Sequence, residues 1–98
     1  MAYKLITSPI ADKDVEKAIK YYIETKTELA KAFLKEVRAV KKYLIKNPKK
    51  IQVRYSNVRI AFLKKFPYGI HFVFENDTIV IVGIFHTSKN PKNWKDRS

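Results

Sequence analysis

The hydrophobic period of this chain changes once, and that change decides its fold class. Up to Leu44, apolar side chains recur at helical spacing; from Val58 they recur at every second position. A chain whose first half forms amphipathic helices and whose second half forms strands has to pack one on the other. That predicts an α+β layer architecture.

Tyr3 to Thr7 reads as a short strand. Ser8, Pro9, Asp12 and Asp14 then supply a helix start: a hydroxyl cap, a proline in the first turn, and negative charge at the positive end of the dipole. The apolar positions Val15, Ala18, Ile19, Tyr22 and Ile23 lie on one stripe, and this helix ends near Thr25 or Lys26. A second stripe of Leu29, Phe33, Val37, Val40 and Leu44 runs until Asn47 and Pro48 stop it. Two helices joined by so short a connection run antiparallel. The stretch Asn47 to Asn57 lacks periodicity and reads as a lysine-rich loop with a short strand around Gln52 to Tyr55. Three strands follow, over Val58 to Phe62, Gly69 to Glu75 and Thr78 to His86, the last two joined by Asn76 and Asp77, which tolerate positive φ. The expected fold is a single domain over residues 1–98, in the order β-α-α-β-β-β: an N-terminal strand, then an antiparallel two-helix hairpin packed on a twisted antiparallel sheet.

A two-residue turn pairs Glu75 with Thr78 and, by strict alternation, His71 with Val82. Ile70, Phe72, Phe74, Ile79, Ile81 and Phe85 then share the bulkier face and are expected against the helices. His71, Val73, Val80, Val82, Ile84 and His86 fall on the other face, which is apolar enough to need a partner segment.

Charge narrows the partners. Twenty-one Lys and Arg against nine Asp and Glu give a formal net charge of +12 on 98 residues. Between Arg38 and Phe74 there are ten basic residues and no acidic one. A solvated lysine-rich surface is the plain explanation; a nucleic acid or an acidic protein explains why so self-repelling a surface is kept. The absence of cysteine excludes disulfides and thiolate zinc sites and fits a reducing cytoplasm. No signal peptide or membrane span is expected, since the longest near-apolar stretch runs only from Thr78 to Phe85.

Catalytic signals are sparse. His71 and His86 would stand about 13 Å apart along a strand, too far to share a metal, so no metal site is expected. No phosphate loop, nucleophile elbow or cofactor motif is present, so no cofactor is expected. A ribonuclease needs less: a general base, a general acid, and cations around a phosphorane. His71, His86, Lys49, Lys50, Arg54, Arg59, Lys89 and Tyr68 are the right residue types, although a strand histidine is more often structural. Trp94 could stack on a base but reads better as a lid over the core.

The run from Arg59 to Trp94, RIAFLKKFPYGIHFVFENDTIVIVGIFHTSKNPKNW, resembles the RelE/ParE superfamily of type II toxins. Its order is an Arg-bearing strand, an FPYxI strand, an acid/Asn turn, an isoleucine-rich strand ending near a His, then Pro and Trp. The segment SPIADKDVEKAIKYY, from Ser8 to Tyr22, is similar to that family's opening helix.

The resemblance implies a small toxin, associated with plasmid stabilisation or addiction modules, that is neutralised by an acidic, partly disordered antitoxin segment. A homodimer or a hetero-oligomer with the antitoxin is compatible with it. RelE-like members enter the ribosome and cut mRNA; ParE-like members inhibit DNA gyrase. The RelE-like nucleases carry arginines at positions that match Gly69 and Ser88 here. Losing two phosphorane-stabilising cations costs several kcal/mol of transition-state stabilisation. The resemblance therefore leans to ParE-like gyrase inhibition, with an mRNA endonuclease as the alternative and an inactivated, antitoxin-binding module as a third reading; whether the chain is an enzyme stays open.

For a nuclease the expected catalytic set is His86, Arg59, Arg54 and Tyr68, with His86 and Trp94 standing in for the His–aromatic pair of some branches. Target or nucleic-acid contacts are expected at Lys49, Lys50, Arg54, Arg59, Lys64, Lys65, Lys89, Trp94 and Arg97. The antitoxin-binding face is expected at His71, Val73, Val80, Val82 and Ile84.

Overall fold

A computed structural model describes residues 2–88. The chain runs β1 (Lys4–Thr7), α1 (Pro9–Thr25), α2 (Thr27–Lys46), a 3-10 turn (Pro48–Lys50), β2 (Val53–Tyr55), β3 (Val58–Phe62), β4 (Tyr68–Glu75) and β5 (Thr78–His86). The expected cap is present: the Ser8 hydroxyl accepts the Ala11 N–H at 3.2 Å, with Pro9 at the first helical position. Lys26 is the sole residue between the helices, and its extended backbone reverses the chain.

The sheet order is β1-β5-β4-β3-β2. β3, β4 and β5 form the expected three-stranded antiparallel meander, and the short β2 adds a fourth, edge strand to it. β1 joins it parallel to β5, with Lys4 opposite Thr78 and Thr7 opposite Ile81. It is anchored from outside the sheet too, since the Tyr3 N–H donates to the Ile45 carbonyl at 2.8 Å.

One face of the sheet packs on the helices. Ala11, Ala18 and Tyr22 of α1 and Ala30, Phe33, Val37 and Leu44 of α2 meet Ala61, Ile70, Phe72, Ile79, Ile81 and Ile84. Ile23 and Leu29, expected in this core, are instead 52% and 36% exposed. They flank the connection at Lys26, and periodicity identifies a helix face without saying where along the helix its partner sheet stops. Tyr22, Phe33, Phe66 and Tyr68 make a ring cluster, with Phe33 5.4 Å from Phe66 and 5.2 Å from Tyr68. It ties the β3–β4 connection to both helices.

The tight turn is as expected: Asn76 and Asp77 adopt φ of 53° and 59°, and Glu75 opposes Thr78. Strict alternation then fails. A bulge places Phe72 opposite Ile81 but His71 opposite Gly83, leaving Val82 as the extra residue. Every later side chain of β5 changes face. Ile84, expected on the outer face, is 2% exposed in the helix-side core, and His86 moves to that side with it, while Phe85 moves outward against His71.

Candidate functional site

The carboxyl end of β5 separates two clefts. The helix-side cleft, about 770 Å³, lies between α1 and the ends of β4 and β5. It is lined by Asp14, Lys17, Tyr21, Tyr22, Tyr68, His86 and Ser88, among others. Asp14 entered the sequence reading as a helix-dipole residue; here its carboxylate accepts the Ile84 N–H at 3.0 Å. The contact lies beyond the β1–β5 pairing, which stops at Ile81, so Asp14 satisfies a strand N–H that β1 is too short to reach.

His86 and Tyr68 meet edge to face at 5.2 Å, opposite each other across β4 and β5. The Ser88 N–H donates to His86 Nδ1 at 3.2 Å, and the Ser88 hydroxyl lies 2.7 Å from the same nitrogen. With Nδ1 accepting, the neutral ring carries its proton on Nε2. Burial pushes the Tyr22 and Tyr68 phenols above the ordinary tyrosine range, with neighbouring tyrosines adding to the effect.

The second cleft, about 410 Å³, opens on the outer face and is lined by Arg54, Tyr55, Ile60, Phe62, Gly69, His71, Phe85, His86 and Thr87. His71 is 3% exposed; its Nδ1 lies 2.9 Å from the Tyr55 hydroxyl, and its ring packs edge to face on Phe85 at 4.9 Å. Arg54 sits over the exposed Phe62 ring, 5.6 Å from its centroid. Gly69 lies at the cleft floor, between Phe62 on β3 and Phe85 on β5. A Cβ there would stand 2.8 Å from the Ile60 γ-methyl and 3.4 Å from the Phe62 ring. Even a methyl group at residue 69 would therefore press on Ile60.

The expected catalytic set is therefore divided. Tyr68 belongs to the helix-side cleft, Arg54 to the outer one, and His86 borders both. Arg59 reaches neither: it lies on the helix side, opposite Phe72, and its guanidinium donates to the Ile51 carbonyl at 2.7 Å. Its role here is to fasten the end of the 3-10 turn. Lys49 and Lys50 are exposed on that turn, with Lys49 Nζ 6.0 Å from the Phe74 ring centroid. Lys64 and Lys65 are exposed on the β3–β4 connection, where both backbone N–H groups donate to the Glu36 carboxylate. Lys89, Trp94 and Arg97 lie outside the described residues.

Of the expected antitoxin face, Val73, Val80 and Val82 are half-buried, and Val73 and Val80 are paired with each other on the outer side. His71 shares that side but is buried, and Ile84 is on the opposite side. Exposed Ile6, opposite Val80, and buried Val58, opposite Val73, extend the row across the sheet. Tyr55, Asp14, Lys17 and Tyr21 were missed in the sequence. Only Gly83 carried a usable signal, since an isolated strand glycine often marks a bulge.

Among the described residues, no group of three or more His, Cys, Asp or Glu is arranged to hold a metal ion. No helix among them is long and apolar enough to cross a membrane.

Residues 5–91 match the family model described as the ParE toxin of the type II toxin-antitoxin system parDE. Among solved structures, the chain is similar to a chromosomal ParDE toxin-antitoxin system from P. aeruginosa, with 20% identity, a TM-score of 0.78, and 89% of this chain and 98% of that one covered. It is also similar to the RelBE2 toxin-antitoxin complex from Mycobacterium tuberculosis, with 14% identity, a TM-score of 0.56, and 88% and 99% covered. No curated protein matched the sequence.

Proposed function

Because this chain belongs to the ParE toxin family of type II toxin-antitoxin systems, we propose that it acts by binding and inhibiting DNA gyrase and that an acidic antitoxin segment neutralises it. The packing at Gly69 carries the choice of target. The resemblance matches this position to an arginine of RelE-like nucleases; here it is glycine, and even a Cβ would come within 2.8 Å of the Ile60 γ-methyl. Arg59 is committed to the Ile51 carbonyl on the far side of the sheet, and Ser88, at the other expected arginine position, is turned onto His86. Among the described residues lining the outer cleft, Arg54 is the one Lys or Arg, short of the ring of cations that stabilises a phosphorane. An inhibitor that works by occupancy needs no such ring.

The outer row of Ile6, Val80 and Val73, with half-buried Val82 beside it, suits the antitoxin segment. Apolar burial supplies affinity there, and the +12 charge favours an acidic partner and speeds encounter.

The grouping of Arg54, Tyr55, His71 and His86 around one cleft favours a second reading, a ribosome-dependent mRNA endonuclease. The two are separated by inducing the chain alone in a bacterial host and pulse-labelling DNA and protein synthesis in parallel. Early loss of DNA synthesis with an SOS response, and inhibition of gyrase supercoiling by the purified chain, is the expected result. Early loss of protein synthesis with mRNA cut at ribosome-occupied codons would establish the nuclease instead. Unaffected growth would leave an antitoxin-binding module without toxicity.

A further inference from the structure

The solvent face of α2 carries a feature that neither cleft uses. Lys31, Lys35, Arg38, Lys42 and Lys46 follow one another at steps of four, three, four and four residues, and all five are exposed. At about 100° per residue they fall within an arc of about 80°, opposite the buried stripe of Phe33, Val37 and Leu44. They form a straight row about 22 Å long. None of the five is engaged by a carboxylate among the described residues. Of the two acids on α2, Glu28 lies before the row begins and Glu36 is turned off it, onto the Lys64 and Lys65 N–H groups.

We infer that this face of α2 binds the phosphate backbone of duplex nucleic acid without reading its sequence. A row of like charges on a rigid helix is costly by itself, and it suits a partner whose charges are also evenly spaced on a stiff rod. Its length spans about six base-pair steps of one strand, at roughly 3.4 Å each. Sequence readout needs side chains that reach base edges, and a row of four lysines and one arginine supplies backbone contacts instead. An acidic peptide that folds on binding must also bury apolar surface to offset its ordering. The side chains beside this row are the exposed alanines Ala32 and Ala39 and the ring of Tyr43, which do not form a continuous apolar groove, while Ile6, Val53 and Phe62 lie on the sheet.

The test measures binding of the full chain to a mixed-sequence duplex of about 20 base pairs, by fluorescence anisotropy over a range of salt. Each phosphate contact contributes about 0.9 to the slope of log K against log salt. The triple variant Lys35→Gln, Arg38→Gln, Lys42→Gln should therefore flatten the slope by about 2.7. A charge-matched variant with Lys4→Gln, Lys13→Gln and Lys20→Gln controls for net charge and should flatten it by less than 1. Circular dichroism verifies that both fold, glutamine being nearly as good a helix former as lysine. Equal flattening by the two triples, or none in the first, overturns the inference. So does a first triple that weakens binding to poly-glutamate while leaving duplex binding intact, which would assign the row to an acidic protein.

Discussion

Replacing Gly69 by alanine tests the steric argument on which the choice of target rests. Gly69 has no positive φ, so an L side chain meets no backbone strain there. In a strand, alanine instead gains about 0.5–1 kcal/mol over glycine from lost freedom in the unfolded chain. Against this stands a Cβ placed 2.8 Å from the Ile60 γ-methyl, well inside the ~3.5–4.0 Å optimum between carbons. That methyl sits on a β-branched side chain 8% exposed, so it cannot swing clear. Overpacking of this kind costs about 1–3 kcal/mol, and the net expectation is a destabilisation of about 1–2 kcal/mol. For a domain of this size that lowers Tm by roughly 5–15 °C. The assay is thermal denaturation of the four chains of a double-mutant cycle: wild type, G69A, I60A and the pair. Ile60→Ala is destabilising by itself, but it opens the space, so Gly69→Ala should cost little or nothing in that background. A Tm unchanged in G69A, or the same loss with and without Ile60, would refute the reasoning and reopen the arginine position.

Two further expectations follow from Glu36 and from the phenols of Tyr22 and Tyr68. Glu36→Gln removes the charge that holds the β3–β4 connection against α2, so amide exchange at Lys64 and Lys65 should quicken several-fold while exchange at core residues such as Ile81 stays as it was. The raised Tyr22 and Tyr68 phenols predict alkaline sensitivity. Their protons leave the unfolded chain at lower pH than the folded one, so the associated stability is complete below about pH 10 and is lost as pH rises through the folded values. In an absorbance titration, part of the phenol signal should ionise above the ordinary tyrosine range, and Tyr22→Phe should remove some of that late part; a late part unchanged in the variant would contradict the burial argument.

Much of the fold was legible because its signals are local. Ser8 caps α1 three residues away, and Asn76 and Asp77 take the positive φ that a two-residue hairpin demands. The stripes through Phe33, Val37 and Leu44 and through Ile70 and Phe72 name their buried faces by spacing alone. The site was less legible. Arg59 has the residue type of a phosphate ligand, and nothing in its neighbours reveals that Ile51 claims its guanidinium. Trp94 lies outside the described residues, so the lid expected of it rests on the sequence.

The amino-acid sequence by itself determined the element order, the caps and turns, and the basic charge, because each depends on residues within a few positions or on composition alone. Three features were decided only in the tertiary structure: the parallel seat of β1 beside β5, the bulge at Val82, and the close approach of Ile60 to Gly69. Each depends on contacts between segments distant in the chain or on adjacent strands. A one-residue slip in register reverses every later side chain, so a single bulge moved Ile84 and His86 to the helix side and Phe85 to the outer face.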